Sequence, residues 1–316
     1  MKKLIAKKDN FIQDFQDSLG NTSIKKIAVP GGGTIYAKCE WENPTGSIKD
    51  RAAFAMLQEV LEKNENKEEL HILEYSGGNL GISLAYQCFE LGIKLDLVMS
   101  QSTSQSIIDK LESYGATLHF VDKQKGFYGV IEEAIRLSQN DKYTFLYQHQ
   151  NRTNINTHFN KTGKEIIKQL EHTKIDAWVA AAGTGGSLLG VYKALKKQND
   201  SVELHLVMPE EAPYGSTEPP NSFKKLAGTG GFGLGRKQAF IMEYENDIKQ
   251  QWLCSYSEAL KEMKKFYDET GIKIGTSAAA NLKAAKEISC KLGENSTVVT
   301  IFPDQGSEEE WNLAFQ

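Results

Sequence analysis

Short apolar segments alternate along this chain with longer segments of helical periodicity, and this alternation restricts the possible folds more than any other sequence feature. Strands are predicted over residues 71–75, 94–99, 117–121, 144–148, 177–182, 203–208 and 297–302. Helices are predicted over residues 50–63, 80–91, 104–114, 127–138, 157–170, 187–197, 256–269 and 278–292. Repeated alternation of strand and helix is typical of parallel sheets covered by helices. The sequence therefore predicts an α/β fold.

Two of the predicted strands lack the polar alternation of a half-exposed strand. Residues 177–182 (AWVAAA) and 297–302 (TVVTIF) are largely apolar, as expected for central strands that are covered on both faces. The chain has 316 residues, of which 40% are hydrophobic, so one large or two medium-sized domains are expected. Residues 209–236 are rich in Gly, Pro, Ser and Glu, which predicts a long functional loop.

Composition argues against several classes of protein. The net charge is −4 at pH 7 and no long basic run occurs, so binding to nucleic acid is not expected. No apolar stretch has a membrane-spanning length, and the polar N-terminal residues differ from a signal peptide. The cysteines are too scattered for a disulfide framework or a zinc site, at Cys39, Cys88, Cys254 and Cys290. A cytoplasmic protein without a metal, membrane or nucleic-acid partner is expected.

The first segment that suggests chemistry is residues 43–51, Asn-Pro-Thr-Gly-Ser-Ile-Lys-Asp-Arg. A turn with Pro44 and Gly46 leads into a predicted helix, and Lys49 stands at its start. The partial positive charge of a helix N-terminus is expected to lower the pKa of this amine, which favours imine chemistry. The plain structural alternative is a solvated lysine in the first turn of a helix.

Two glycine-rich segments each join a predicted strand to a predicted helix. Residues 76–81 (SGGNLG) offer backbone N–H groups and the Asn79 side chain, which suit an anion such as a carboxylate. Taken alone, this segment is equally an ordinary tight turn. Residues 183–187 (GTGGS) offer consecutive N–H groups and two hydroxyls, which predict a phosphate site. The second segment has the pattern of neither a Walker loop nor a dinucleotide-binding fingerprint.

In this order, the segments resemble the fold-type II pyridoxal-phosphate (PLP) enzymes, within them the cysteine synthase and cystathionine β-synthase group. The resemblance covers nearly the whole chain. It implies two open twisted-sheet domains with flanking helices, as in the tryptophan synthase β fold, a PLP cofactor and a homodimer. The smaller, mobile substrate-binding domain is expected at 46–155. The larger domain, with the cofactor phosphate loop, is expected at 1–45 and 156–316.

The resemblance also implies roles for individual residues. Lys49 matches the catalytic Schiff-base lysine, Asn79 the asparagine at the cofactor's phenolic oxygen, and Ser277 the serine at the pyridine nitrogen. The phosphate loop matches Gly183, Thr184, Gly185, Gly186 and Ser187. Small amino acids are the expected substrates, and the positions implied in binding them are Ser76, Gly77, Gly78, Asn79, Leu80, Gln148 and Gly228.

Several positions need separate comment. Gln148 lies in a segment, with His149, Asn154 and His158, that keeps the spacing of the family. Both histidines suggest general bases, although helix capping or packing is the expected role. Gly228 belongs to residues 225–230 (KLAGTG), which resemble the mobile substrate-gating loop of the family.

The sequence departs from the family at two places. Cysteine synthases have Thr-Ser-Gly-Asn-Thr in the substrate loop, whereas Gly77 and Leu80 here lack the corresponding hydroxyls. A leucine after the asparagine also occurs in the branch that makes N-(2-amino-2-carboxyethyl)-glutamate from O-phosphoserine. After the gating loop, Arg236 is either a partner for a substrate phosphate or second carboxylate, or a solvated loop arginine.

The expected reaction is PLP-dependent β-replacement on an activated serine or cysteine, through an aminoacrylate intermediate. A serine at the pyridine nitrogen leaves the ring largely neutral, which favours loss of the proton together with the leaving group. The alternatives are β-elimination by a cysteine desulfhydrase or serine/threonine dehydratase, an N-(2-amino-2-carboxyethyl)-glutamate synthase-like enzyme, and a non-catalytic PLP-fold sensor. The two lost hydroxyls predict a preference for a reaction other than sulfide addition. The leaving group and nucleophile stay open.

Overall fold

The computed structural model describes residues 2–64, 66 and 69–316, and the chain forms two compact units. The first unit comprises Met1–Leu19, Asn43–Thr45 and Lys49–Asn154. The second comprises Gly20–Glu42, Gly46–Ile48 and Ile155–Gln316. The predicted domains at 46–155 and at 1–45 with 156–316 were defined by mobility and binding role, and they stay a prediction.

Strands and helices are numbered here along the chain. The strands are β1 (Ile24–Ala28), β2 (Thr34–Cys39), β3 (His71–Tyr75), β4 (Lys94–Ser100), β5 (Thr117–Val121), β6 (Thr144–Phe145), β7 (Ala177–Ala181), β8 (Glu203–Pro209), β9 (Ile248–Cys254) and β10 (Thr297–Phe302). The helices are α1 (Lys2–Ser18), α2 (Lys49–Lys63), α3 (Asn79–Leu91), α4 (Gln105–Ser113), α5 (Gly126–Leu137), α6 (Arg152–Thr157), α7 (Lys164–Gln169), α8 (Gly186–Gln198), α9 (Ala239–Glu243), α10 (Tyr256–Thr270), α11 (Thr276–Leu292) and α12 (Glu308–Ala314).

The first unit is built on a parallel sheet with the strand order β5-β4-β3-β6. Its core joins residues of α2 and α3 to the sheet, among them Met56, Leu84 and Leu97, all fully buried. Helix α1 belongs to this unit, where the ring of Phe15 stacks on Phe54 with centroids 5.4 Å apart. Apolar residues on facing surfaces of helix and sheet thus supply the burial that stabilises the unit.

The second unit is built on a sheet with the order β1-β2-β10-β7-β8-β9, in which only the β1–β2 pair is antiparallel. Successive residues of β7 point to opposite faces of this sheet. Ala177 and Val179 pack in a core with α10 and α11, whereas Trp178 and Ala180 pack in a second core with α8. Both faces of β7 are therefore covered, which explains its continuous apolar sequence.

The structure confirms the predicted α/β class with two sheets, and each predicted strand corresponds to a strand in it. The strand predicted at 144–148 is shorter, because β6 ends at Phe145 and Tyr147 adopts a left-handed conformation with φ 53°. The predicted long loop is also confirmed, since no helix or strand lies between Pro209 and Ala239. No helix of the described residues is long and apolar enough to cross a membrane.

The helix predicted at 157–170 is wrong in its bounds. Helix α6 starts earlier, at Arg152, and a π-helical turn over His158–Gly163 separates it from α7. Helix α8 packs tightly against this segment: a Cβ at Gly190 would lie 2.5 Å from the carbonyl oxygen of Ile155 and 2.6 Å from Cβ of His158. The close approach requires glycine at residue 190.

Candidate functional site

Lys49 is the first residue of α2, and the residue after it fixes the turn that precedes the helix. Asp50 is fully buried, and its carboxylate accepts a 2.7 Å hydrogen bond from the backbone N–H of Thr45. The hydroxyls of Thr45 and Ser83 also donate to this carboxylate. Since Ser83 belongs to α3, Asp50 ties the start of α2 to the neighbouring helix. Lys49 is thereby held at a defined helix N-terminus.

The predicted substrate loop begins where β3 ends, and Ser76 shapes it. The Ser76 hydroxyl oxygen accepts hydrogen bonds from the backbone N–H groups of Gly78 (3.3 Å) and Gly81 (3.0 Å). Gly78 is the N-cap of α3, and a Cβ added there would meet no atom within 4 Å. The loop is therefore a hydrogen-bonded turn at the N-terminus of a 13-residue helix, with open space at Gly78.

The two positions that lack hydroxyls lie in different surroundings. A Cβ at Gly77 would lie 2.5 Å from Oγ1 of Thr103 and 3.4 Å from Cβ of Met99. The Leu80 side chain is 2% exposed and belongs to the core of the first unit. A role of Leu80 in binding the substrate stays a prediction.

Gln148 is held by the end of β3. Its backbone N–H donates to Oε2 of Glu74 at 3.1 Å, and its side-chain Nε2 donates to the carbonyl oxygen of Tyr75 at 2.9 Å. The Asn154 side chain donates to the Gln148 carbonyl at 2.9 Å. The left-handed residue Tyr147 turns the chain so that Gln148 is placed beside the strand rather than in it. Gln148 and the substrate loop therefore both adjoin the last residues of β3.

Glu74 is a buried acidic residue that contacts the backbone of Gln148. It is fully buried, and burial raises the pKa of its carboxyl to about 8. The backbone N–H groups of Tyr75 and Gln148 act in the opposite direction, because both donate to the carboxylate.

Tyr75 and His149 form a buried pair next to Gln148. The Tyr75 hydroxyl oxygen lies 2.7 Å from Nδ1 of His149, and the backbone N–H of His149 lies 3.3 Å from the same oxygen. Burial lowers the pKa of His149 to about 3, and the positive charge of Lys49 contributes to this decrease. The imidazole is therefore neutral. Sequence reasoning missed Tyr75, because no local motif marks it.

The predicted phosphate loop joins β7 to α8 in the second unit. Gly185 is the N-cap of α8 with φ 88°, a conformation that favours glycine. The Thr184 hydroxyl oxygen accepts a 3.0 Å hydrogen bond from the N–H of Gly186. A Cβ at Gly183 would lie 2.3 Å from the carbonyl oxygen of Gly228, so a side chain has no room there. Backbone N–H groups at the start of a 13-residue helix suit a phosphate dianion.

A chain of contacts leads from this loop to Ser277. Gly228 lies against Gly183, and the N–H of the preceding Ala227 donates to Oγ1 of Thr276 at 2.9 Å. Ser277 is the next residue, near the start of α11, and is 2% exposed. Its hydroxyl makes no hydrogen bond to any part of the chain that the structure describes. The second unit thus brings together the loop, Gly228 and an available buried hydroxyl, a donor set that fits the phosphate and ring nitrogen of PLP.

The remaining polar candidates lie in other settings. Nδ1 of His158 is 3.0 Å from the Thr162 hydroxyl within the π-helical turn, which fits the expected packing role. Arg236 is partly buried in the long loop. No group of acidic, histidine and cysteine side chains among the described residues is arranged to hold a metal.

Comparison with known proteins identifies the family. A family model described as pyridoxal-phosphate dependent enzyme matches residues 16–304. The cysteine synthase of Staphylococcus aureus is 33% identical over 299 residues, covering 93% of this chain and 94% of that protein. The O-acetylserine dependent cystathionine beta-synthase of Bacillus subtilis is 30% identical with the same coverage.

A solved structure agrees with these sequence relatives. The hydrogen sulfide-producing enzyme of Fusobacterium nucleatum superimposes with a TM-score of 0.82 at 28% identity, covering 93% of this chain and 97% of the other. Fold, family model and relatives are therefore consistent with the motifs of the sequence. The chain belongs to the pyridoxal-phosphate-dependent enzymes, with PLP as its cofactor, and its relatives are the cysteine synthases and cystathionine β-synthases.

Proposed function

We propose that this chain catalyses β-replacement on an activated serine or cysteine, with Lys49 as the residue that binds PLP covalently. The observation that carries the proposal is the second unit's donor set, in which a phosphate loop and the available hydroxyl of Ser277 are joined through Gly228 and Thr276. When bound, PLP withdraws electrons from the substrate Cα, which acidifies the Cα–H bond and lets the β-substituent leave.

The residues of the chain then have separate tasks. N–H groups and hydroxyls of Gly183–Ser187 would bind the phosphate, and the Ser277 hydroxyl would donate to the ring nitrogen without protonating it. Asn79 would donate to the phenolic oxygen. Lys49 would take the proton from the substrate Cα at its Nζ.

The substrate carboxylate is assigned to the first unit. The turn at Ser76–Leu80 offers backbone donors at a helix N-terminus, and Gln148 keeps a second Nε2 hydrogen beyond the one it donates to Tyr75. We assign Gly228 to the part of the substrate site next to the phosphate loop, because Gly228 lies against Gly183. The same assignments favour the segment 46–155 as the substrate-binding domain, and the remainder as the domain that holds the phosphate.

β-Elimination is the second candidate function. Its support is the similarity to the hydrogen sulfide-producing enzyme of Fusobacterium nucleatum, since β-elimination of cysteine would release hydrogen sulfide. Replacement and elimination share every step up to loss of the leaving group, so the residues assigned above serve both. An N-(2-amino-2-carboxyethyl)-glutamate synthase-like reaction is a further form of replacement, favoured only by Leu80 following Asn79.

The experiment is a matrix of substrates. The PLP-loaded protein is mixed with O-acetylserine, O-phosphoserine, serine or cysteine, each with sulfide, homocysteine, glutamate or no nucleophile, and products are identified by mass spectrometry. Amino acids carrying the added nucleophile establish replacement, and pyruvate with ammonia in every mixture establishes elimination instead. Lys49→Ala is the control: borohydride reduction should attach the cofactor to the Lys49 peptide of the parent only. Absence of both product classes with all four amino acids contradicts the proposal.

A homodimer and a cytoplasmic location complete the proposal. The family resemblance supports the dimer, which light scattering of the purified protein tests directly. The scattered cysteines, three buried and one exposed and all free, support a reducing compartment. Fractionation of the source cells with an antibody to the chain tests the location.

A further inference from the structure

A buried hydroxyl and a buried carboxylate of the second unit have no task in the reaction described above. Thr276 is fully buried, and its hydroxyl donates a 2.6 Å hydrogen bond to Oε1 of Glu310, which is 7% exposed. Thr276 is the first residue of α11, and Glu310 lies in the first turn of α12. The bond therefore joins the N-terminal turns of two helices between which the chain forms β10.

The hydrogen bonds fix the direction of the Thr276 hydroxyl. A hydroxyl has one hydrogen to donate, and a carboxylate only accepts, so this hydrogen points to Glu310. The oxygen of the same hydroxyl accepts a 2.9 Å hydrogen bond from the backbone N–H of Ala227. Glu310 thus orients the hydroxyl that holds Ala227.

The second oxygen of Glu310 holds the carboxylate itself in place. The backbone N–H of Ser307 donates to Oε2 at 2.8 Å, and the backbone N–H of Glu310 donates to the Ser307 hydroxyl at 3.2 Å. These two bonds form the capping box of α12. The position of Oε1 is therefore set by the start of a helix.

The bond at Ala227 leads to residues assigned above to the cofactor and the substrate. Ser277 follows Thr276 in the chain, and Gly228 follows Ala227. The carbonyl oxygen of Gly228 lies against Gly183, the first residue of the predicted phosphate loop, where a side chain has no room. The Thr276 hydroxyl therefore holds the residue that precedes this close contact.

Residues 228–230 depend on hydrogen bonds for their position. Gly228 and Gly230 adopt φ 66° and φ 136°, and glycine has more backbone freedom than any other residue. The N–H of Gly230 donates to the carbonyl oxygen of Ala182 at 3.2 Å, and the Gln238 side chain donates to the Gly230 carbonyl at 2.8 Å. These bonds hold the far end of the segment, and the Thr276 hydroxyl holds the near end.

We propose, on the basis of the substrate site assigned above to Gly228, that Thr276 and Glu310 are positioning residues for the amino-acid substrate. Glu310 orients the Thr276 hydroxyl, and this hydroxyl fixes Ala227 so that Gly228 is in place when the substrate binds. A segment that is already fixed does not have to be ordered at the expense of binding free energy. The two residues thereby strengthen substrate binding without touching the substrate.

Thr276→Val tests the proposal, because it removes the hydroxyl and keeps the size of the side chain. Alanine is the binding probe, since it has no β-substituent that can leave, and its Kd is read from the absorbance of the bound cofactor. The Kd of alanine and the KM of a reacting amino acid should rise about three- to tenfold, the effect of one buried hydrogen bond, with little change in kcat. Thr276→Ser, which keeps the hydroxyl, should bind alanine as the parent does.

Thr22→Val is the matched control. Thr22 is also buried in the second unit, and its hydroxyl donates to the buried carboxylate of Glu40 at 2.7 Å. It precedes the edge strand β1 and is assigned no part in the reaction. Thr22→Val should lower stability against urea as Thr276→Val does, but the Kd of alanine should stay that of the parent. A purely structural role for Thr276 predicts that the two valine variants bind alanine equally.

Glu310→Ala tests the carboxylate without changing Thr276. The hydroxyl hydrogen then lacks its acceptor, so the hydroxyl turns and holds Ala227 less firmly, and the Kd of alanine should rise by up to the amount seen in Thr276→Val. Glu258→Ala is the control for the lost capping box, because Ser255 and Glu258 form the same motif at the start of α10. This control should leave the Kd unchanged.

Hydrogen exchange of the PLP-loaded protein, followed by mass spectrometry, measures the bond without a ligand. The peptide with residues 225–230 should exchange faster in Thr276→Val and Glu310→Ala than in the parent and the two controls. An unchanged exchange rate, or a Kd of alanine in either variant equal to that of its control, overturns the inference and leaves the proposed function standing. If the parent turns over no amino acid, the proposed function fails, yet a raised Kd with faster exchange still supports both positioning residues.

Discussion

The hydroxyl oxygen of Thr103 lies 2.5 Å from the point that a Cβ would occupy at Gly77. Thr103 precedes α4, so a residue from the loop after β4 fills the place next to the predicted substrate loop. This hydroxyl neither donates nor accepts a hydrogen bond among the described residues. The side chain of Thr103 therefore occupies the space that a side chain at Gly77 would need.

Gly77→Ser tests this relationship. The new Cβ must displace Thr103, and overpacking of this kind costs about 1–3 kcal/mol of unfolding free energy. The double variant Gly77→Ser/Thr103→Ala should recover most of the loss, as measured by urea unfolding. Gly78→Ser, where a Cβ meets no atom within 4 Å, is the steric control. Equal stability of Gly77→Ser and the parent would contradict the packing.

Ser187→Asp should weaken cofactor binding. Ser187 lies in the first turn of α8, where the phosphate is assigned, and a carboxylate there repels the dianion. The loss of PLP affinity should be at least about 100-fold relative to the isosteric Ser187→Asn, because two like charges a few ångströms apart repel by several kcal/mol. Fluorescence titration of apoprotein with PLP measures both. Equal affinities would place the phosphate elsewhere.

Ser277→Asp should slow the reaction while the cofactor stays bound. A carboxylate at this buried position favours protonation of the ring nitrogen, whereas the serine hydroxyl does not. We expect kcat to fall by about tenfold or more relative to Ser277→Ala, with an altered absorption spectrum. Turnover and spectrum that match the parent would remove Ser277 from the ring nitrogen.

Glu74→Gln should flatten the pH dependence of stability. The pKa of Glu74 is raised from 4.5 to about 8 in the folded protein, so the folded state holds a proton that the unfolded state releases between these values. Its contribution to stability is therefore full below about pH 4.5 and is lost as the pH rises to about 8. Urea unfolding at pH 5, 6.5 and 8 should show a smaller decrease in Glu74→Gln than in the parent. Parallel curves would mean that Glu74 is ionised throughout.

The sequence predicted most strands of the two sheets and missed three strands of the larger sheet. The bounds of the interior strands β3 and β10 and of the edge strand β5 were predicted correctly. The edge strands β1 (IKKIA) and β9 (IKQQWLC) were not predicted, because their exposed residues are polar and interrupt the pattern. The interior strand β2 (TIYAKC) was not predicted either. Helix α1 was also missed.

Some residues of the candidate site could be predicted from the sequence, and others could not. Residues in contiguous motifs, such as Lys49 and the loop at 183–187, were found from sequence order. The Tyr75–His149 bond joins residues 74 positions apart, and the Gly77–Thr103 contact joins two loops. Neither spacing has a periodicity that a single sequence reveals, since tertiary packing alone creates these contacts.

The buried carboxylate of Asp50 has a consequence for protein engineering. It binds donors from Thr45, five residues earlier, and from Ser83, which lies in another helix. Transplanting residues 43–51 into a different scaffold would carry the lysine along but leave behind one of the groups that hold its turn. The smallest portable unit around Lys49 is therefore a pair of packed helices, and a designer who grafts only the motif should expect a lysine with no fixed direction.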